Sequence, residues 1–244
     1  MRHSDLGIRA VLFDVFGTLV DWRSGMTREL RAFGVAHGID AEWDAVADDW
    51  RGEYQPAMDE VRSGRRGWTI LDVLHRESLE RVLARHGIEG PTDDELRHLT
   101  LGWHRLDPWP DVVPGLTRLA NRYTLGTLSN GNTSLLTDLA GYGGLPFHVI
   151  LGAETARAYK PLPEAYLRNV AMLGLEPGQV MLVAAHNGDL AAAREQGLRT
   201  AFVARSTEYG PMQVTDLAPA GAWNIFGDDM SAVATALGCP SWST

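Results

Sequence analysis

Short apolar runs, each closed by turn residues and followed by an amphipathic stretch, recur along this chain. They read "AVLFDV" at 10–15, "YTLGTLSN" at 123–130, "FHVILGAE" at 147–154, "VMLVAAHN" at 180–187 and "TAFVAR" at 200–205. Strands buried on both faces have this appearance, and their alternation with helical patterns predicts a parallel α/β sheet. Between the first run and the second the pattern changes. Residues 22 to 106 hold no convincing strand, but Trp43, Val46, Trp50 and Tyr54 fall on one face at helical spacing, as do Leu96, Leu99, Trp103 and Leu106. Segments 26–37 and 69–86 read as helices too. The expectation is a four-helix insertion at 22–106, with a core made of 1–21 and 107–244 and "DPWPDVVPG" at 107–115 as the return linker.

Composition narrows the function classes. A chain of 244 residues with 45% hydrophobic content is long enough for a substantial core. A formal charge of -9 and a pI near 5.3 argue against general binding to nucleic acid or an anionic membrane, since "RSGRR" at 62–66 is the one basic run. The single cysteine, Cys239, allows neither an intramolecular disulfide nor a cysteine metal cluster. No stretch approaches the roughly 20 apolar residues that span a bilayer, and the apolar run at 10–20 is broken by Asp14 and Gly17. A soluble, cytoplasmic protein is expected.

In open α/β sheets ligands bind beyond the carboxyl ends of the strands. The residues that end the runs here are Asp14, then Ser129 and Asn130, then Lys160 slightly downstream, then His186, Asn187 and Asp189. Each alone has a plain structural use. Asp14 can cap a turn, "SNGN" can cap the helix that follows it, Lys160 can be a solvated lysine, and Asp189 can be an acid favoured by the first turn of a helix. Their combination and order point to a site.

That order, "FDVFGTLVD", "LSNGN", "YKPLPEAY" and "AAHNGDLAAARE", resembles the haloacid dehalogenase (HAD) superfamily, and within it the 2-haloacid dehalogenase branch, from about residue 9 to 205. The resemblance implies a Rossmann-like core beneath a helical-bundle cap inserted after the first motif, with Asp14 as nucleophile. Lys160 would pair with the Asp14 carboxylate and keep it ionised and in line. Arg51, in "DWRGEY" on the cap, would receive the leaving halide. Asp189 would orient and deprotonate a water. Ser129 and the backbone amides after Asp14 would hold the substrate carboxylate, Thr18 and Asn130 would buttress the nucleophile loop, and Tyr166 matches a family tyrosine near the lysine. Phe16 and Trp68 would wall the small alkyl group. A homodimer is suggested by the resemblance alone.

Two positions separate the branches of that superfamily. Its phosphatases carry a second Asp two residues after the nucleophile as a general acid; Phe16 stands there and has no proton to give, whereas halide leaves without one. They also bind Mg²⁺ through acids of the last motif, where "VAAHNGDL" offers Asp189 alone and His186 suits a hard cation poorly. The expectation is therefore a hydrolase without metal or cofactor. It attacks a small 2-haloalkanoic acid through Asp14 and hydrolyses the resulting ester to a 2-hydroxy acid. A Mg²⁺-dependent phosphatase and a non-catalytic binding protein of the same fold are the alternatives. The chain departs from its branch at Ala184, His186 and Gly188, where a Ser, an Asn and a Trp are usual, and at Gly52, where a Gln is. His186 either replaces the Asn as a water-orienting group, adds a charge that titrates near neutrality, or is a hydrogen-bonded turn histidine. Asn187 could supply the displaced amide. The segment 206–223 reads as a long irregular loop, either surface decoration or a wall of the site.

Overall fold

The computed structural model describes residues 6–240. Its sheet has five parallel strands, β1 (Ala10–Phe13), β2 (Thr124–Thr127), β3 (Val180–Ala184), β4 (Arg199–Val203) and β5 (Ile225–Gly227), in the order β2-β1-β3-β4-β5. All four residues of β1 and all five of β3 are buried, as the apolar runs require of central strands covered on both faces. Since β1 is followed on one side by β2 and on the other by β3, the order reverses at the β1/β3 crevice, where such sheets bind ligands. Asp14 and His186 lie just beyond the strands that flank it.

The insertion between β1 and β2 is helical: α1 (Trp22–His37), α2 (Trp43–Gly52), α3 (Tyr54–Arg62), α4 (Leu71–Arg85) and α5 (Asp93–Thr100), closed by a 3₁₀ turn at Leu101–His104. Asp21 caps α1 by accepting from the Ser24 amide, and Gly38 ends it in the left-handed conformation. Thr92 and Glu95 form a capping box on α5. The insertion thus holds five helices where four were expected, because the face containing Trp50 and Tyr54 is interrupted at Glu53. Pro56 has no amide to bond the Gly52 carbonyl, so α2 stops and α3 restarts. Trp43, Val46, Trp50, Tyr54, Leu96, Leu99, Trp103 and Leu106 are all buried, as their spacing predicts.

The core continues with α6 (Val112–Ala120), α7 (Thr133–Gly143), α8 (Ala153–Ala156), α9 (Pro163–Met172), α10 (Asn187–Glu195) and α11 (Met230–Ala236), packed about the sheet. One expected strand is absent among the described residues. The run at 147–154 makes isolated bridges, Gly126 to Val149 and Ser129 to Gly152. Side chains interrupt its backbone pairing: His148 Nδ1 accepts from the Leu125 amide at 3.0 Å, and Thr127 Oγ1 both donates to the Leu151 carbonyl and accepts from its amide, while backbone bonds such as His148 N–H to the Leu125 carbonyl persist between them. The sheet instead gains β5, a three-residue strand inside a polar stretch that carries no period. Among the described residues no helix is long and apolar enough to cross a membrane.

Candidate active site

Asp14 follows β1, and the turn after it brings the chain straight back over its carboxylate. Gly17 adopts a φ of 81°, and a Cβ there would stand 2.0 Å from Glu208 Oε1, so both the turn and the close approach require glycine. Thr18 donates to Asp14 Oδ2 at 2.8 Å and accepts from the Ala185 amide at 3.0 Å, which directs its proton to the acid and ties the β1 loop to the end of β3. Lys160 Nζ lies 2.9 Å from Asp14 Oδ1 and also contacts Asp189 Oδ2. The Asn130 side chain accepts from the Lys160 backbone amide at 2.8 Å, and Tyr166 donates to Asp189 Oδ1 at 2.7 Å. His186 places Nδ1 3.1 Å from Asp14 Oδ2 and Nε2 2.8 Å from Glu208 Oε2.

These contacts decide the charges. Burial would raise the Asp14 carboxyl, but Lys160 and His186 outweigh it and hold the group well below the usual carboxylate range. Burial would neutralise Lys160, but Asp14 and Asp189 keep it an ammonium. The Asp189 carboxyl moves the other way: burial, together with the charge of Asp14, raises it despite Lys160. Burial and Asp189 push the Tyr166 hydroxyl far up, so it remains a donor. For His186, burial favours the neutral ring, yet Glu208 and Asp14 raise it well above the ordinary imidazole value.

Above this floor the cap supplies an aromatic wall. Phe16 packs edge-on against Tyr54 and Trp103, with ring centres 6.4 and 5.8 Å apart. The Arg51 guanidinium lies 4.0 Å over Tyr54 and 5.4 Å over Trp22, a cation–π seating in the apolar layer. Its Nη1 is buried and has no hydrogen-bond partner among the described residues. Floor and wall enclose a cavity of about 390 Å³ lined by, among others, Asp14, Phe16, Arg51, Tyr54, Lys160 and Asp189. That volume suits a small substrate. A carboxylate held by Lys160 and a guanidinium seated on aromatic rings thus line the same cavity.

A family model for haloacid dehalogenase-like hydrolases matches residues 8–197. The chain belongs to that family. A haloacetate dehalogenase from Moraxella sp. (strain B) is 31% identical over 205 residues, 81% of this chain and 86% of that one. An (S)-2-haloacid dehalogenase from Xanthobacter autotrophicus is 29% identical over 203 residues, 82% of this chain and 77% of its own. Among solved structures, a defluorinating L-2-haloacid dehalogenase superposes with a TM-score of 0.94 at 51% identity, covering 95% of each chain.

The structure of this HAD-family hydrolase brings Asp14, Thr18, Lys160, Asp189, Arg51, Phe16, Asn130, Tyr166 and His186 into or against one cavity. It does not bring the remaining expected residues there. Trp68 packs on Tyr159 with ring centres 5.0 Å apart, and Tyr54 stands where an aromatic wall from the cap was expected. Asn187 is consumed by the 206–223 loop: its amide groups bind Asp216 and the Ala218 carbonyl, and its Oδ1 accepts from Ala220 and Trp223. Ser129 is buried, and its hydroxyl accepts from the Gly131 amide at 3.3 Å instead of lining the cavity. The 206–223 loop is a wall of the site. Arg205 pins its root to the Thr18 carbonyl and to Asp111, and the loop delivers Tyr209 and Asp216 to the cavity and Glu208 to His186. No motif marks Glu208; its signal is tertiary, a carboxylate only 1% exposed in a loop that reads as polar.

Proposed function

We propose that this protein is a hydrolytic dehalogenase of small 2-haloalkanoic acids, with residues 22–106 forming a cap over a core of 1–21 and 107–244. The observation that carries the reading is that the Asp14 carboxylate, held by Lys160, and the Arg51 guanidinium line one cavity walled by Phe16. Asp14 attacks the halogen-bearing carbon from behind, inverting it, as halide leaves toward Arg51. Backbone amides after Asp14 orient the substrate carboxylate. Water then attacks the Asp14 ester carbonyl, giving its proton to Asp189, whose raised basicity suits the task. Released 2-hydroxy acid and a restored Asp14 complete the cycle.

A divalent cation would have to be shared by Asp14 and Asp189. Lys160 Nζ already bridges those two acids, and the His186 ring holds the other Asp14 oxygen, so the residues present do not fit such an ion. This counts against the phosphatase reading. The similarity to (S)-2-haloacid, haloacetate and defluorinating L-2-haloacid dehalogenases supports the S enantiomer and the haloacetates as substrates. The test is halide release from S- and R-2-chloropropionate, chloroacetate and fluoroacetate with EDTA present, for wild type and Asp14→Asn. Expected is EDTA-resistant release that falls to background in the variant. Phosphate release from phosphoesters only when Mg²⁺ is added, with no halide from any haloacid, would replace this reading by the phosphatase.

A further inference from the structure

Glu208 is the most deeply buried carboxylate at the site, 1% exposed, and the reaction as written above gives it no part. It accepts from His186 Nε2 at 2.8 Å and from Trp22 Nε1 at 3.1 Å, the second contact reaching from the first helix of the cap. His186 therefore faces a carboxylate from each ring nitrogen, Glu208 on one side and Asp14 on the other. A neutral imidazole would turn a lone pair toward one of them; both contacts are donations only when the ring is an imidazolium. The groups around it are Asp14 and Glu208 in contact, with Lys160, Asp189, Tyr209, Arg51 and Asp216 on the same cavity.

The two oxygens of Asp14 are not equivalent. Oδ2 receives Thr18 Oγ1 and His186 Nδ1, while Oδ1 receives Lys160 alone. A carboxylate oxygen offers two in-plane lone pairs, so Oδ2 has both engaged and Oδ1 keeps one free to attack. The ester formed through Oδ1 then has Oδ2 as its carbonyl oxygen, already held by two donors.

We propose that Glu208 is a positioning residue for the ester-hydrolysis step: it holds His186 with its Nδ1–H on Asp14 Oδ2, so that Thr18 and His186 together form the oxyanion hole. The inference rests on Asp14 being the nucleophile. Water oxygen bonds to Cγ as one proton passes to Asp189, and the carbonyl pair moves onto Oδ2 between Thr18 and His186. When that pair returns, the Cγ–Oδ1 bond breaks, and the departing alkoxide takes a proton from Lys160, which recovers it from Asp189. The acid left on Asp14 loses its proton to solvent and the carboxylate is restored. Once Asp14 is esterified it no longer carries the charge that holds the histidine proton, so Glu208 alone retains it through this step. The raised basicity of His186 agrees with that arrangement.

The test compares wild type with Glu208→Gln, Glu208→Asp and His186→Asn. Nitrogen-15 NMR of the ring should find wild-type His186 doubly protonated well above the pH at which a free imidazole titrates, and the transition lowered by about 1 to 3 pH units in E208Q. Rapid-quench kinetics should find release of the first equivalent of halide from S-2-chloropropionate slowed far less than turnover in E208Q and H186N, while kcat falls by about 10²-fold. The ester should accumulate as a covalent mass adduct, and E208D should recover part of the loss. Halide burst and turnover slowed together without adduct, unchanged turnover in E208Q, or a wild-type His186 that titrates near neutrality would each overturn the proposal. Should E208Q fold poorly, the wild-type ring titration and the H186N burst still decide it. Wild type that releases no halide from any haloacid removes the dehalogenase reading and this ester step with it. The NMR arm then separates the two failures, because it reads the Glu208–His186 contact without turnover.

Discussion

The floor of the cavity and its wall treat polar groups in opposite ways. On the floor each charge has its partner: Asp14 with Lys160 and His186, Asp189 with Lys160 and Tyr166, His186 with Glu208. On the cap side four buried polar atoms have none among the described residues, Thr27 Oγ1, Arg51 Nη1, His75 Nδ1 and Trp103 Nε1, and the last three belong to one aromatic cluster in which His75 stacks on Trp103 at 4.5 Å. Leaving a buried donor unmade costs about 1–3 kcal/mol, so such groups are tolerated where a ligand completes them. The floor is organised for charge that is always present. The aromatic layer of the cap instead leaves polar atoms unpaired beside the cavity. Burial, helped by the nearby charge of Arg51, pushes His75 down to about 3, so it adds no second cation to the wall.

The largest effect that would sharpen this contrast is at Arg51. Arg51→Lys keeps a charge but loses the planar guanidinium seated on Tyr54, and kcat for halide release should fall by about 10²-fold, the cost of one preorganised donor at a developing anion. Turnover close to wild type would mean that the wall does not receive the halide. A smaller loss is expected on the floor. Tyr166→Phe removes one donor from Asp189 while Lys160 remains, which at about 1.5 kcal/mol for a hydrogen bond to a charged group slows turnover by about 10-fold. Steady-state kinetics that match wild type would show the Asp189–Tyr166 contact to be idle.

The smallest effect concerns the seam between cap and core. His104, buried at the end of the insertion, lies 3.1 Å from Asp72 of α4 and 2.8 Å from Asp138 of α7, and Asp72 is also held by Asn132. Burial would lower its basicity, but the two acids raise it above the ordinary value of 6.5. A raised folded-state pKa contributes stability that is complete below about pH 6.5 and is lost as pH climbs through the folded value. Because Asp138 is largely solvent-facing, the contribution is about 1 kcal/mol, or roughly 2–4 °C of melting midpoint. Wild type should lose that margin between pH 6 and pH 9, and His104→Gln should not. Parallel melting profiles for the two proteins would show that the seam is insensitive to pH.

Much of the floor is legible in the chain itself. Asp14, Lys160 and Asp189 stand at or just beyond the ends of apolar runs, and a parallel sheet gathers such ends on one edge whatever the loops do. The cap is legible for a similar reason, since apolar residues at helical spacing must turn toward a core. The errors have local causes. The run at 147–154 has a strand's composition, but His148 and Thr127 side chains take some of the ladder bonds and leave isolated bridges. Trp68 and Tyr54 are both cap aromatics, and their sequence positions do not say which one faces the cavity.

What the sequence determined by itself is the fold class and the placing of Asp14, Lys160 and Asp189 as candidate site residues, because hydrophobic periodicity and strand ends are local properties that survive any packing of the loops. The tertiary structure alone decided what surrounds His186. Its charge depends on Glu208, which reaches it from an irregular loop 22 residues away and is buried to 1% exposure. Inside a low-dielectric site a proton goes where the distances between carboxylates put it, and those distances exist only once the chain has closed on itself.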